Sequence, residues 1–239
     1  MGYIDIHCHL LPGVDDGSKD MEETLEMLRI AAKNGISEMI FTPHYKQGQV
    51  GTPQKVIVSL LDQVRKEAKA EGIDIKLYPG TEIYYNSSSL EEKLESGWLS
   101  TMNGTDFVLV EFSPFETFPY IKNAMDDVFS LGYHPILAHV ERYQCMLGSV
   151  ENVRILHKMG VHIQVNASSV AGDYGFRVKH FLKKLLKEQL VEYIGTDAHN
   201  TSGRSPQMEK CAERVRKICD SDYADKILFD NARRYLLSE

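Results

Sequence analysis

Five of the nine histidines, His7, His9, His44, His139 and His199, stand at the ends of apolar, β-branched runs. Four carboxylates hold comparable places: Asp16 just after the first run, and Glu82, Glu111 and Asp197 at the ends of three others. No cysteine is among them, and this imidazole and carboxylate set suits Mn²⁺, Fe²⁺, Co²⁺ or Zn²⁺ better than Ca²⁺ or Cu⁺. Donors drawn from many strand ends describe a multinuclear metal centre at the mouth of an α/β barrel. Cations about 3.5–4 Å apart activate water and clamp the oxygens of an in-line displacement, so the expected chemistry is hydrolysis.

Each signal sits in a short motif. HCHLLPGVDDG holds two imidazoles two residues apart, then a Pro/Gly turn that can return Asp15 or Asp16 over the strand end. FTPH ends a strand on His44, with Pro43 shaping the local turn. PGTEIYY places Glu82, VLVEF places Glu111 after an apolar run, ILAHVERY supplies His139 and Arg142, and IGTDAHN supplies Asp197 and His199. On the first strand, Asp5, His7 and His9 share one face, and Ile4, Ile6 and Cys8 share the other. Three ionisable groups on a face turned into a barrel are costly unless something offsets them, and a cation does so. The competing account, a pair of hydrogen-bonded core histidines, suits either residue alone better than the pair.

The elements that must carry these residues are legible. YIDIHC, SEMIFTPH, DIKLYPGTEI, TDFVLVEF, HPILAH, VHIQVNAS and VEYIGTDAH read as strands. Between them lie stretches of helical period, among them MEETLEMLRIAAKNG with Gly35 as a stop, PQKVIVSLLDQVRKEAKAEG with Gly72, and FRVKHFLKKLLKEQL. Strands alternating with helices imply βαβ units and a parallel sheet, and seven of them favour a closed or nearly closed barrel. No linker, repeat or low-complexity run divides residues 1–239, so one domain is expected. The segment SDYADKILFDNARRYLLSE reads as helical turns packed on the barrel.

At 239 residues and 43% hydrophobic content the chain can bury an ample core, and a net charge of −7 disfavours general affinity for nucleic acid or anionic membrane. MGYIDIHCHL is too short and polar for a signal peptide, and no run approaches a membrane span. The four cysteines lack paired spacing, so reduced thiols in a cytoplasmic protein are expected. None precedes a phosphate-cradling loop, which argues against a thiol nucleophile.

In this order the motifs resemble the PHP superfamily, over essentially the whole chain. Within it, LLPGVDDGS, FTPHY, GTEIYY, AHVERY, VNASS and GTDAHN are similar to the bacterial tyrosine-protein phosphatases of capsule and exopolysaccharide loci. The resemblance implies a distorted (β/α)7 TIM-like barrel, two to three manganese ions, and partnership with the phosphotyrosine-bearing tail of a bacterial tyrosine kinase. It also implies a ligand scheme: His7, His9, Glu82 and Asp197 on one metal; Glu82 bridging to a second with Glu111 and His139; and His44, His199 and Asp16 on a third.

A phosphate monoester leaves two anionic oxygens for Arg142 and Arg204, since guanidinium matches phosphate in bidentate fashion. Asp16 is the candidate for proton transfer, although a metal-bound carboxylate is a poor acid. Phe112, Phe115, Phe118, Tyr120, Tyr84 and Tyr85 offer rings for an aromatic pocket or for rim packing. Asn166 and Ser168 are placed to bond the groups that hold the metals. His134, His157, His162 and His180 fall at strand starts or on helices and are expected to be structural. The alternatives are a small-molecule phosphatase such as one for histidinol phosphate, an exonuclease, and a metal-stabilised docking module; the last should have lost ligands, and all nine are kept.

Overall fold

The computed structural model describes residues 2–48, 51–86 and 90–237. Among them nine strands alternate with helices: β1 (Tyr3–Cys8), β2 (Ile36–Phe41), β3 (His44–Tyr45), β4 (Lys76–Pro79), β5 (Glu82–Tyr84), β6 (Phe107–Glu111), β7 (His134–Leu137), β8 (His162–Asn166) and β9 (Tyr193–Gly195). Every paired set is parallel, in the orders β1-β2-β4 and β3-β5-β6-β7-β8-β9.

These nine pieces make seven strand-lengths. β2 and β3 are parted at Thr42–Pro43, and β4 and β5 at Gly80–Thr81. Backbone bonds carry the pairing across the breaks: Thr42 N–H donates to Cys8 O at 2.9 Å, Gly80 N–H to Phe41 O at 2.9 Å, and Glu82 N–H to Pro43 O at 3.1 Å. First and last strands meet where Asp197 N–H donates to His7 O at 2.7 Å and His9 N–H to Ala198 O at 2.9 Å. The fold is α/β, a curled parallel sheet in a distorted (β/α)7 barrel, as the motif order implied. Pro43 has no N–H and cannot continue the β2 ladder. The strand restarts at His44, directly opposite Glu82. Both interruptions therefore fall just ahead of a candidate ligand.

Helices cover the sheet where their period placed them. The first, Met21–Lys33, starts at Asp20, whose carboxylate accepts Glu23 N–H at 2.9 Å, and stops ahead of Gly35 at φ 76°. Gln54–Ala70 and Gly175–Lys187 follow the other two predicted stretches. The final segment forms consecutive helical turns over Ser221–Asp225, Lys226–Asp230 and Asn231–Tyr235, while its residues 238 and 239 lie outside the described ones. On β1 both faces are buried: Ile4, Ile6 and Cys8 on one and Asp5, His7 and His9 on the other. Burial on both sides is what a parallel barrel strand requires, so the three polar residues must be satisfied from within. No helix among the described residues is long and apolar enough to cross a membrane.

Candidate metal centre

All nine sequence-predicted ligands meet at the C-terminal ends of the strands, around Glu82. Its Oε1 lies 2.9 Å from His139 Nε2 and 3.2 Å from His7 Nε2. Its Oε2 lies 2.9 Å from His44 Nδ1 and 3.2 Å from His9 Nε2. Glu111 adds oxygens 3.3 Å from His44 Nδ1 and 3.7 Å from His139 Nε2. Asp197 Oδ1 stands 3.7 Å from His7 Nε2 and 3.5 Å from His9 Nε2. At the mouth, Asp16 Oδ1 is 3.4 Å from both His44 Nε2 and His199 Nε2, with 68% of its side chain exposed.

Three clusters have ligand atoms close enough to share an ion: His7, His9 and Glu82; His44, Glu82 and Glu111; and His9, Asp16, His44 and His199. This grouping differs in emphasis from the scheme the resemblance implies. His9 serves two clusters rather than one, and so does His44. Asp197 and His139 flank the clusters instead of belonging to one.

Three of the five imidazoles are held by their far nitrogens. His9 Nδ1 donates to Asp15 Oδ2 at 2.8 Å, and His199 Nδ1 to the Asp197 carbonyl at 2.9 Å. His7 Nδ1 donates to Gln164 Oε1 at 3.2 Å. With the proton fixed on Nδ1, each ring turns its Nε2 lone pair toward the centre, the arrangement by which outer partners orient metal-binding histidines. Asp15 also accepts His44 N–H at 2.9 Å, and Gln164 accepts His139 N–H at 2.7 Å. Of the two adjacent aspartates, then, Asp15 orients while Asp16 faces the mouth. The role of Gln164 had no sequence signal beyond lying two residues before Asn166. Asn166 itself donates to Asp197 Oδ2 at 2.8 Å, as expected, whereas Ser168 lines a small neighbouring cavity.

Backbone strain gathers here too. His139 and Asp197 adopt left-handed conformations, at φ 34° and 51°. Such backbone is costly outside glycine and persists where its surroundings over-determine it. Gly195 lets β9 pass against His7: a Cβ there would lie 2.5 Å from His7 Cβ.

Burial disfavours the charged forms of these groups, but their mutual attraction overrides it. Asp15, Asp197 and Glu82 hold His9 well above the usual imidazole range, and Glu111 and Glu82 raise His44 to about 10. Glu82 and Asp197 are correspondingly held low, against their own burial, by the surrounding histidines. The nearby His199 ring, 3.4 Å away, likewise lowers Asp16. Positive charge is thus demanded at this spot, and protons supply it when nothing else does.

The donor set fits divalent metal ions. Its atoms are imidazole nitrogens and carboxylate oxygens without sulfur. Buried atoms that aim into it lack hydrogen bonds: Glu82 Oε2, close to two rings but aligned with neither, and His199 Nε2.

Beside the cluster opens a cavity of about 340 Å³, lined by Asp16, Glu111, His139 and Arg142 together with Tyr84, Phe112, Pro114 and Tyr143. Arg142 Nη1 reaches Asp197 Oδ2 at 3.3 Å and Arg204 Nη2 reaches Asp197 Oδ1 at 2.7 Å, so the two guanidiniums flank one carboxylate. The Arg204 carbonyl accepts His199 N–H at 2.8 Å, which folds the following loop back over the centre.

Of the six expected rings, Tyr84 and Phe112 line the cavity. Phe115 is 75% exposed, Phe118 opens the helix Phe118–Ser130, and Tyr120 packs edge-on against Tyr85 and Phe112. Tyr85 is buried and donates to Asp127 Oδ2 at 2.5 Å. Tyr143 and Lys46 line the cavity without having been singled out, although Tyr143 directly follows Arg142. His134, His157, His162 and His180 stay away from the centre in ring contacts or a single ion pair. Cys8 is buried, which pushes its thiol far from ionisation.

Comparison with known proteins follows the same lines. The family described as capsular polysaccharide synthesis, CpsB/CapC, matches residues 3–237. The chain is 34% identical over 237 residues to the tyrosine-protein phosphatase YwqE of Bacillus subtilis, covering 99% of this chain and 92% of that one. It is 32% identical over 241 residues to the tyrosine-protein phosphatase CpsB of Streptococcus pneumoniae, covering 99% of each. A solved structure from work on YwqE and CpsB as metal-dependent tyrosine phosphatases superposes with a TM-score of 0.91 at 30% identity, covering 98% of this chain and 94% of that one. A histidinol phosphate phosphatase of Lactococcus lactis shares the fold, with a TM-score of 0.60 at 17% identity over 91% of this chain and 94% of that one. The chain belongs to the CpsB/CapC family.

Proposed function

We propose that the chain is a metal-dependent protein-tyrosine phosphatase acting on the phosphotyrosine-bearing tail of a bacterial tyrosine kinase, in the control of capsule or exopolysaccharide synthesis. The observation that carries this reading is the nine-donor cluster around Glu82 beside a cavity walled by Tyr84, Phe112 and Tyr143. The whole of residues 1–239 is taken as one such domain, working in the cytoplasm.

His7, His9, Glu82 and Asp197 would hold one ion, Glu82, Glu111 and His139 a second, and His44, His199 and Asp16 a third. Mn²⁺ is the ion proposed, with Fe²⁺, Co²⁺ and Zn²⁺ able to use the same donors. Bound ions supply activated water and offset the charge of the phosphoryl group in an in-line displacement.

The protein's own groups do the rest. Arg142 and Arg204, half-exposed and already turned inward, exchange Asp197 for the free phosphate oxygens. Tyr84 and Phe112 receive the tyrosyl ring. Asp16, ionised at the mouth, is a weak proton donor, and a leaving tyrosyl oxygen with a conjugate-acid pKa of about 10 needs little help.

The test is phosphate release from a phosphotyrosyl peptide and from histidinol phosphate, side by side, on chelator-stripped protein with Mn²⁺ restored. Mn²⁺-dependent turnover of the peptide in large excess over the small ester is expected. The reverse preference would make the protein a small-molecule phosphatase.

A further inference from the structure

The cavity beside the metal cluster does not end at its aromatic wall. Lys46, whose ammonium lies 4.3 Å above the Tyr84 ring, lines it and also lines a second hollow of about 320 Å³. Trp98 forms the far wall of that hollow and of a third, of about 550 Å³, which reaches Lys55. Shared lining residues set the three hollows side by side, in a broken trough from the mouth of the barrel past Lys46, Lys93 and Trp98 to Lys55.

Its charge is one-sided. In a chain of net charge −7, the described residues that line the second and third hollows include three lysines and no carboxylate. Lys93 rests 5.0 Å over the Trp98 ring, a cation–π contact that leaves its ammonium available to an anion. The backbone at Trp98 is anchored: its main-chain N–H donates to Lys93 O at 3.0 Å and its main-chain carbonyl accepts Gln54 N–H at 3.0 Å. A 37% exposed indole on a fixed backbone, between lysines, offers flat apolar surface and positive charge to an extended chain.

We propose that this trough binds the segment flanking the phosphotyrosine and selects peptides with acidic side chains there. The inference rests on the phosphatase reading, since continuity with the 340 Å³ cavity makes its occupant part of the substrate. Exposed lysines reward glutamates through screened ion pairs, so the preference shrinks as salt rises.

Trp98 is the sole tryptophan, so its emission reports on the trough independently of catalysis. The experiment compares phenyl phosphate with two phosphotyrosyl peptides of equal length, flanked on both sides by glutamates or by serines. Turnover is followed on Mn²⁺-loaded protein, and Trp98 emission is followed in parallel titrations.

The glutamate peptide is expected to show kcat/KM about five- to tenfold above the serine peptide. It should also shift Trp98 emission saturably, while phenyl phosphate leaves the emission unmoved. Replacing Lys55→Gln with Lys93→Gln should erase the preference, and Lys55→Arg with Lys93→Arg should keep it. Phenyl phosphate turnover should be the same in every variant.

Equal, measurable turnover of the two peptides, or emission unmoved by either, overturns the proposal. Saturable emission change without hydrolysis of any phosphotyrosyl substrate would remove the phosphatase reading and keep the trough as an acidic-peptide site. Hydrolysis of phenyl phosphate with unmoved emission would remove the trough alone.

Discussion

Histidines gather at both ends of this barrel, under opposite conditions. At the C-terminal rim, His7, His9, His44, His139 and His199 surround Glu82 with Glu111, Asp16 and Asp197 interleaved, and carboxylates raise His9 and His44 toward the charged form. At the N-terminal rim, His134 stacks on Phe107 at 5.0 Å, and His162 packs among Phe107, Tyr193 and Tyr235. Burial lowers His162, whose Nδ1 shares a hydrogen bond with Tyr193 Oη at 3.0 Å. Among the described residues there, His157 forms an ion pair with Glu192 at 2.9 Å. One residue type is thus packing material at one end and a cation-demanding cage at the other, and carboxylate density decides which.

The largest test of that contrast is Glu82→Gln. Because four imidazoles face this one carboxylate, Mn²⁺ content by elemental analysis and kcat/KM should both fall by more than about 100-fold, the upper range seen for outer partners of a metal site. Retained metal would show that Glu82 is not the hub. Arg142→Ala should leave metal content intact and lower turnover by about 100-fold, as loss of one donor to a developing charge does. If metal content dropped as well, the guanidinium would be serving the cage through Asp197 rather than the substrate.

Asp15→Asn removes the carboxylate that orients His9 and favours its charged form. Mn²⁺ affinity by calorimetry should weaken about 10- to 100-fold, with turnover recovered at high Mn²⁺. Protons and metal compete for the same rings. His44, with its pKa raised to about 10, must shed a proton to take an ion, so Mn²⁺ affinity should climb as pH rises from 6 toward that value. Calorimetry in buffers of different ionisation enthalpy would measure the protons released, and an affinity flat with pH would contradict the cage.

The smallest effect belongs to the other rim. Bonding to Glu192 raises His157, so its stabilisation is complete below about pH 6.5, the ordinary imidazole value, and is lost as pH rises through the higher folded value. In thermal melts, His157→Gln should remove that decline at a cost under about 1 kcal/mol, since the pair is partly exposed, and should leave metal binding untouched.

Much of this was readable along the chain. Period-two alternation in YIDIHCHL placed His7 and His9 on one face, and the glycine stops at Gly35 and Gly72 bounded two helices. The four histidines set aside as structural do stay clear of the centre. Other features were not readable. Gln164 looks like any strand residue, yet its amide oxygen meets both His7 Nδ1 and His139 N–H because β7 is the neighbour of β8 and β1 closes beside β9, one strand further on. Asp15 and Asp16 are chemically identical and adjacent; the turn after Pro12 sends one under His9 and the other to the mouth. Tyr120 and Phe118, read from local density as pocket candidates, start a helix instead.

By itself the sequence determined the donor types, the strands that end in them and the side of each strand they occupy, because these depend on residue chemistry and local period. Only the tertiary structure decided which strand ends face one another, that Glu82 sits among four imidazoles, and that Lys46, Lys93 and Trp98 share a trough. Those relations arise from the curl of the sheet and its two interruptions, which join residues far apart in the chain through no pattern that a local window contains.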